Sequence, residues 1–177
     1  MKIAVFCGSN FGKSDIYREA AAALGAALAE RQVELVFGGT NKGLMKIIAD
    51  AVLEGGGTAH GIVPQTLVDK GQQYPKLTRA EIVATRSVRK RRMAEVADGF
   101  IAMPGGVGTV EELFEMWVDA QFDGHTKALG LLNVGGFFDG LLVFIDTMID
   151  RGFLPPQHKN MIIVGSDPRA LLAAFTS

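Results

Sequence analysis

The sequence predicts an α/β protein with one open, mainly parallel sheet and helices on both of its faces. Short apolar runs alternate with longer stretches of helical periodicity. Several runs lack polar alternation, as strands covered on both faces do. Three of the runs lead into glycine-rich segments, which suit tight strand exits. Regular alternation of this kind implies right-handed βαβ units. With 177 residues, 48% of them hydrophobic, the chain can bury one good core, and a single domain over 1–177 is expected.

Lys2–Cys7 is the first apolar run and leads straight into Gly8. Ser14–Arg31 follows as a helix, its apolar centre Ala20–Ala29 flanked by Arg18, Glu19, Glu30 and Arg31. Val33–Phe37, closed by Gly38-Gly39, reads as the next strand, and Gly43–Glu54 as its helix. Thr58–Val63 and Ile82–Ala84 read as strands, with Ser87–Ala97 helical after them. Gly99–Met103 is an apolar strand that passes through three glycines into the helix Thr109–Phe122. Ala128–Asn133 and Phe137–Arg151 form a further strand and helix. Asp167-Pro168 starts the last helix, with Asp as N-cap and Pro at the first helical position. No internal repeat, low-complexity tract or interdomain linker is visible.

Composition excludes several classes of function. Eighteen Lys+Arg against 19 Asp+Glu give a net charge of −1, so no global field favours nucleic acid or an anionic membrane. Cys7 is the single cysteine, which rules out an intrachain disulfide and fits a reducing compartment. His60, His125 and His158 lack metal-ligand spacing, and no metal site is expected. The N-terminal apolar run is too short for a signal peptide, and no stretch reaches the roughly 18 apolar residues of a spanning helix. A soluble, cytoplasmic protein is the expectation.

Three glycine-rich strand exits fall where open α/β sheets bind ligands, beyond the carboxyl ends of the strands. The first, Gly8-Ser9-Asn10-Phe11-Gly12-Lys13-Ser14, misses the P-loop because three residues separate Gly8 from Gly12 where four are needed. Gly8 and Ser9 still suit a nucleotide-facing turn, though an ordinary βα turn explains them equally. The second, Gly38-Gly39-Thr40-Asn41-Lys42-Gly43, has Leu44 where a P-loop has lysine, and a packing turn is its simpler explanation. The third carries more: Pro104-Gly105-Gly106-Val107-Gly108-Thr109-Val110-Glu111-Glu112 joins a strand to a helix N-terminus. Backbone N–H groups and the dipole favour an anion there. With a carboxylate in place of the last glycine of GxGxxG, a monophosphate fits better than a pyrophosphate. Glu111, Glu112 and Glu115 lie in the early turns, and spacing alone does not choose a catalytic one.

Arg89-Lys90-Arg91-Arg92 places four cations near a helix start, against the dipole. Successive helical residues point about 100° apart, so the four cannot share one ligand. Some must meet an anion or carboxylate partners.

Together these residues resemble the LOG ("lonely guy") family of cytokinin riboside 5′-monophosphate phosphoribohydrolases, many of which carry a "lysine decarboxylase" label. The hallmark PGGxGTxxE is matched in full by Pro104 to Glu112, and the Arg-Lys pair with a later Met by Arg89, Lys90 and Met93. Further similarity runs through VFCGSN near the start, GG…GLM at Gly38–Met45, GIVPQTL at Gly61–Leu67 and GLLNVGGFFDGLL at Gly130–Leu142.

The resemblance implies a Rossmann-like fold, usually dimeric, that hydrolyses the N-glycosidic bond of an adenine-type nucleoside 5′-monophosphate without a cofactor or metal. It implies Glu112 and Arg89 as the catalytic pair. Candidate substrate contacts are Gly8 and Ser9 at the first exit, Gly38 and Gly39 at the second, and Lys90 and Met93 beside Arg89. Pro104, Gly105, Gly106, Val107, Gly108, Thr109 and Glu111 complete them at the third. The implied partner is a small nucleoside monophosphate, with a homodimer and neither nucleic acid nor membrane. Departures from the family pattern are Gly71 for a glutamate, Val118 for a threonine with Trp117 shifted one place, Thr40-Asn41-Lys42 for a glycine-rich segment, and Lys46 for a glycine. A changed base pocket is therefore expected. The rival reading is a non-catalytic nucleotide or cofactor carrier on the same fold.

Overall fold

The first apolar run forms the central strand of the sheet. In a computed structural model that describes residues 1–122 and 126–175, the order opens with β1 (Lys2–Phe6), α1 (Ile16–Glu30), β2 (Glu34–Phe37), α2 (Gly43–Glu54) and β3 (Ala59–Pro64). It continues with α3 (Gln65–Asp69), β4 (Arg79–Val83), α4 (Arg86–Val96), β5 (Gly99–Ala102), α5 (Val107–Phe122) and β6 (Ala128–Leu132). A 3-10 turn at Val134–Gly136, α6 (Asp139–Asp150), α7 (Pro156–Lys159), β7 (Ile162–Gly165) and α8 (Pro168–Ala173) complete it. His125 lies outside the described residues.

Among the described residues, seven strands form one parallel sheet in the order β4-β3-β2-β1-β5-β6-β7. The chain builds outward from β1 to β4, then restarts on the other flank of β1 with β5. That reversal opens a crevice at the carboxyl ends of β1 and β5, where α/β sheets bind ligands.

Each face of the sheet has its own core. Leu24 and Leu28 of α1, Ile48 and Val52 of α2 and Leu171 and Leu172 of α8 cover Ile3, Val5, Leu35 and Phe37. Met93 of α4, Leu113, Met116 and Trp117 of α5 and Ile145 of α6 cover Ala4, Val36, Ile62 and Phe100 on the other. Unbroken apolar strands follow from this double cover. Asp167 caps α8 as its type predicts, Oδ1 accepting from Ala170 N–H at 2.7 Å, and Thr85 caps α4 by accepting from Val88 N–H at 3.2 Å.

Several boundaries differ from expectation. α5 starts two residues before Thr109, because Gly106 C=O already accepts from Thr109 and Val110 N–H. β4 begins at Arg79 and not Ile82: as an edge strand it tolerates Arg79 and Glu81 beside water. α6 starts at Asp139, since positive φ at Gly135 and Gly136 holds the preceding turn out of the α-helical form. β7 is not among the predicted strands although Ile162-Ile163-Val164-Gly165 is β-branched and glycine-closed; it is an edge strand with Val164 facing solvent, so the double-sided burial that marks the central strands is missing.

Candidate active site

The three glycine exits are fused by backbone hydrogen bonds. Gly8 N–H donates to Pro104 C=O at 3.0 Å, and Leu44 N–H donates to Gly8 C=O at 3.0 Å. Gly43 has φ of +53°, and a Cβ there would stand 2.3 Å from the Ser9 carbonyl carbon. The start of α2 is thus a packing turn against the first exit. Gly105 permits a second close approach, since its Cβ would fall 2.1 Å from Thr109 Oγ1. These contacts bring the β1, β2 and β5 exits around one cleft of about 430 Å³.

Arg89 and Glu112 sit in its wall. Arg89 Nη2 donates to Glu112 Oε1 at 2.6 Å, linking the first turns of α4 to the second turn of α5. Both side chains are about nine-tenths buried. Arg89 Nε is buried without a protein partner among the described residues. Burial pushes the Glu112 carboxyl above the ordinary carboxylate value; the charges of Arg89 and Arg86 pull it back, and Glu111 adds to the rise. Cys7, also in the wall, is an inert thiol whose pKa burial raises far above its usual range, with Glu112 adding to it.

The other sequence candidates divide. Gly8, Ser9, Gly106, Val107, Gly108 and Thr109 line the cleft with the pair. Pro104 and Gly105 lie one layer off, around a neighbouring apolar pocket of about 180 Å³ that Phe11, Tyr17 and Phe137 help to form. Gly38 and Met93 lie beneath the pair: a Cβ on Gly38 would reach Arg89 Nη1 at 3.1 Å, and Met93 is 1% exposed. Gly39 packs on Val63 and Gly61 away from the cleft. Lys90 and Glu111 are held in a separate cluster, where Lys90 Nζ pairs with Glu111 and with Glu115 Oε2 at 2.6 Å.

The basic run is thereby accounted for mainly by carboxylates. Arg92 pairs with Glu95 and places Nε 2.6 Å from Glu81 Oε1, and Arg91 is exposed. Residues outside the candidate contacts also line the cleft, among them Met45 and Leu67, which lie in the family-like segments, and Gln72 and Arg86, which no motif marks. Arg86 lay just before the basic run, and a lone arginine carries no motif to mark it.

The expected departures sort in the same way. Thr40 and Lys42 line the cleft, and Thr40 Oγ1 donates to Gln72 C=O at 3.1 Å, tying the second exit to the segment after α3. Gly71 and Lys46 are not in the lining; Lys46 pairs with Asp50. Val118 is 45% exposed on α5, while Trp117 is buried and donates Nε1–H to His158 C=O at 2.9 Å. Among the described residues no group of His, Cys, Asp and Glu could hold a metal ion, and no helix is long and apolar enough to cross a membrane.

Comparison with known proteins bears on this arrangement. Residues 45–175 match the family described as "Possible lysine decarboxylase". A probable cytokinin riboside 5′-monophosphate phosphoribohydrolase of Oryza sativa subsp. japonica is 42% identical over 171 residues, covering 97% of this chain and 75% of that protein. A cytokinin riboside 5′-monophosphate phosphoribohydrolase of Arabidopsis thaliana is 43% identical over 171 residues, covering 97% and 79%. Among solved structures, the molybdenum cofactor binding protein of Rippkaea orientalis superposes with a TM-score of 0.75 at 19% identity, covering 99% of this chain and 97% of that one. The Moco carrier protein of Chlamydomonas reinhardtii gives 0.71 at 21%, covering 99% and 94%. At such identities the likeness is one of fold.

Proposed function

Because the chain belongs to the LOG family of cytokinin riboside 5′-monophosphate phosphoribohydrolases, we propose that its cleft hydrolyses the N-glycosidic bond of an adenine-type nucleoside 5′-monophosphate. Water adds at C1′, the bond from C1′ to the base nitrogen breaks, and free base and ribose 5-phosphate leave. One observation carries the reading: the buried Arg89–Glu112 pair lines the same cleft as the first turn of α5. A helix N-terminus of that kind suits the 5′-phosphate, whose charge the dipole and the first-turn N–H groups favour. The sugar then lies between the phosphate and the pair.

Bond cleavage develops oxocarbenium character at C1′, which the Glu112 carboxylate stabilises while orienting or deprotonating the attacking water. The departing base gains electron density. Arg89 cannot act as an ordinary acid at neutral pH, so its role is electrostatic: it positions the substrate and offsets charge on the leaving group. The Glu112 hydrogen bond holds the guanidinium in place. Substrates of this class are cytokinin riboside monophosphates and AMP.

Incubation with AMP and with isopentenyladenosine monophosphate, followed by chromatography for free base and ribose 5-phosphate, tests the reading. Failure to release base from either would overturn it. The carrier alternative has less behind it, because relatives at 40–43% identity are named hydrolases whereas the cofactor-binding proteins share the fold at 19–21%. The cytoplasmic, homodimeric state expected from sequence remains part of the proposal. Exposed Val143 and Phe144 on α6 and Phe122 on α5 support self-association, and light scattering that returned a single 18.9 kDa chain would overturn the dimer.

A further inference from the structure

Arg86, Arg89 and Lys90 fall in the opening turns of α4, which holds no acidic residue in its first turn. The helix dipole disfavours all three there. Arg89 is offset by Glu112, and Lys90 by Glu111 and Glu115. Arg86 has no carboxylate within ion-pair distance among the described residues. It points elsewhere: a Cβ built on Gly108 would stand 3.5 Å from Arg86 Nη2, so the guanidinium lies against the first turn of α5. Both residues line the cleft. Thr109 and Val110 N–H of that turn donate to Gly106 C=O, and the N–H groups of Val107 and Gly108 ahead of them have no intrahelical acceptor. The side chain and the helix start therefore present donors to the same corner of the cleft, and Gly108, lacking a side chain, leaves the corner open.

We propose that Arg86 is the side-chain half of the phosphate site. Its guanidinium and the Val107 and Gly108 N–H groups at the start of α5 close on the 5′-phosphate dianion from two sides, and Arg86 sets the preference for a monophosphate over the uncharged nucleoside. A guanidinium fork matches two phosphate oxygens, which gives orientation as well as charge. The anion also supplies what α4 lacks, a negative partner at its N-terminus. This assignment rests on the phosphoribohydrolase reading for the identity of the anion, ribose 5-phosphate being the half of the substrate that carries it.

Calorimetric titration of ribose 5-phosphate into the wild type and into the Arg86→Ala, Arg86→Lys and Lys42→Ala variants tests the proposal. Lys42→Ala removes another cation that lines the cleft. The expected result is about tenfold weaker binding for Arg86→Ala, as for loss of a charge-assisted hydrogen bond, with part of it recovered in Arg86→Lys and a smaller loss in Lys42→Ala. In turnover of AMP at about pH 8, above the acid limb that the Arg86 charge helps to hold down, Arg86→Ala should raise KM with little change in kcat, because phosphate binding is common to ground and transition states. Three results would overturn the proposal: wild-type affinity in Arg86→Ala, an equal loss in Lys42→Ala, or no binding of ribose 5-phosphate by the wild type. A wild type that binds ribose 5-phosphate yet releases no base would instead overturn the hydrolase reading and leave the phosphate assignment standing. Melting curves that coincide with the wild type exclude misfolding as the cause.

Discussion

Arg89 Nη2 lies 2.6 Å from Glu112 Oε1, and each side chain keeps only about a tenth of its surface exposed. Gly38 supports the guanidinium from below, and Met93 fills the space under it. A pair so placed is both a reactive element and a structural one, and the two roles separate on substitution.

Glu112→Gln should lower base release by about 10² to 10⁴, the range for loss of a positioned acid–base group. The amide oxygen can still accept from Arg89, so the fold should survive. Glu112→Ala leaves Arg89 buried and unpaired, which costs about 3–5 kcal/mol. Product analysis paired with urea unfolding measures both effects. Near-normal turnover in a folded Glu112→Gln protein would remove Glu112 from the chemistry.

Neighbouring glycines of the PGG segment should respond in opposite ways. A Cβ at Gly105 meets Thr109 Oγ1 at 2.1 Å and Gly8 N at 2.9 Å, and both are fixed by the joined exits. Gly105→Ala should destabilise by about 1–3 kcal/mol, as overpacking does. At Gly106 a Cβ meets nothing within 4 Å, and Gly106→Ala should stay within about 0.5 kcal/mol. Equal unfolding midpoints for the two variants would contradict the close approach at Gly105.

The sheet was legible because its signal is local. Leu35–Phe37 and Phe100–Met103 are apolar on consecutive positions and stop at Gly38 and at Pro104-Gly105, a pattern that double-sided burial produces. β7 and β4 lie at the edges, where solvent relaxes that demand, and there the reading failed or was late. The site was legible as a motif and not as a geometry. Spacing left Glu111, Glu112 and Glu115 equivalent; only the packing of α4 against α5 turns Glu112 toward Arg89 and the other two toward Lys90. Arg86 was missed for a related reason, because its neighbour Gly108 is 22 positions away in sequence.

His60 gives the fold its own pH dependence. It is fully buried in β3, with Nδ1 3.6 Å from Glu34 Oε1 and Nε2 3.7 Å from Glu81 Oε2, beyond hydrogen-bond reach. Burial lowers its pKa below the ordinary 6.5, Arg79 and Lys2 lower it further, and Glu34 and Glu81 oppose them. The unfolded chain then binds the proton more readily, so stability is full above 6.5 and falls as the pH drops below it. Melting temperatures from about pH 8 to about pH 5 should fall in the wild type and fall less in His60→Gln. Glu81, whose pKa Arg92 lowers, adds its own loss only below the ordinary 4.5. Parallel curves for wild type and variant would assign the dependence elsewhere.

The pH profile of turnover isolates Glu112 in another way. Burial raises its pKa above the ordinary 4.5, against the pull of Arg89 and Arg86 and with a push from Glu111. The carboxylate is the form that stabilises C1′ and activates water, so the acid limb of kcat/KM should lie above pH 4.5. The second ionisation of a phosphate monoester, near pH 6, falls in the same region and blurs a single profile. A variant separates them, because the substrate's ionisation is common to every enzyme compared. Glu111→Gln removes the neighbouring negative charge and should move the acid limb to lower pH, while the phosphate contribution stays fixed. Profiles measured with AMP for wild type and Glu111→Gln decide it: a limb that does not move would mean that the titrating group is the substrate's phosphate or an enzyme group remote from Glu111.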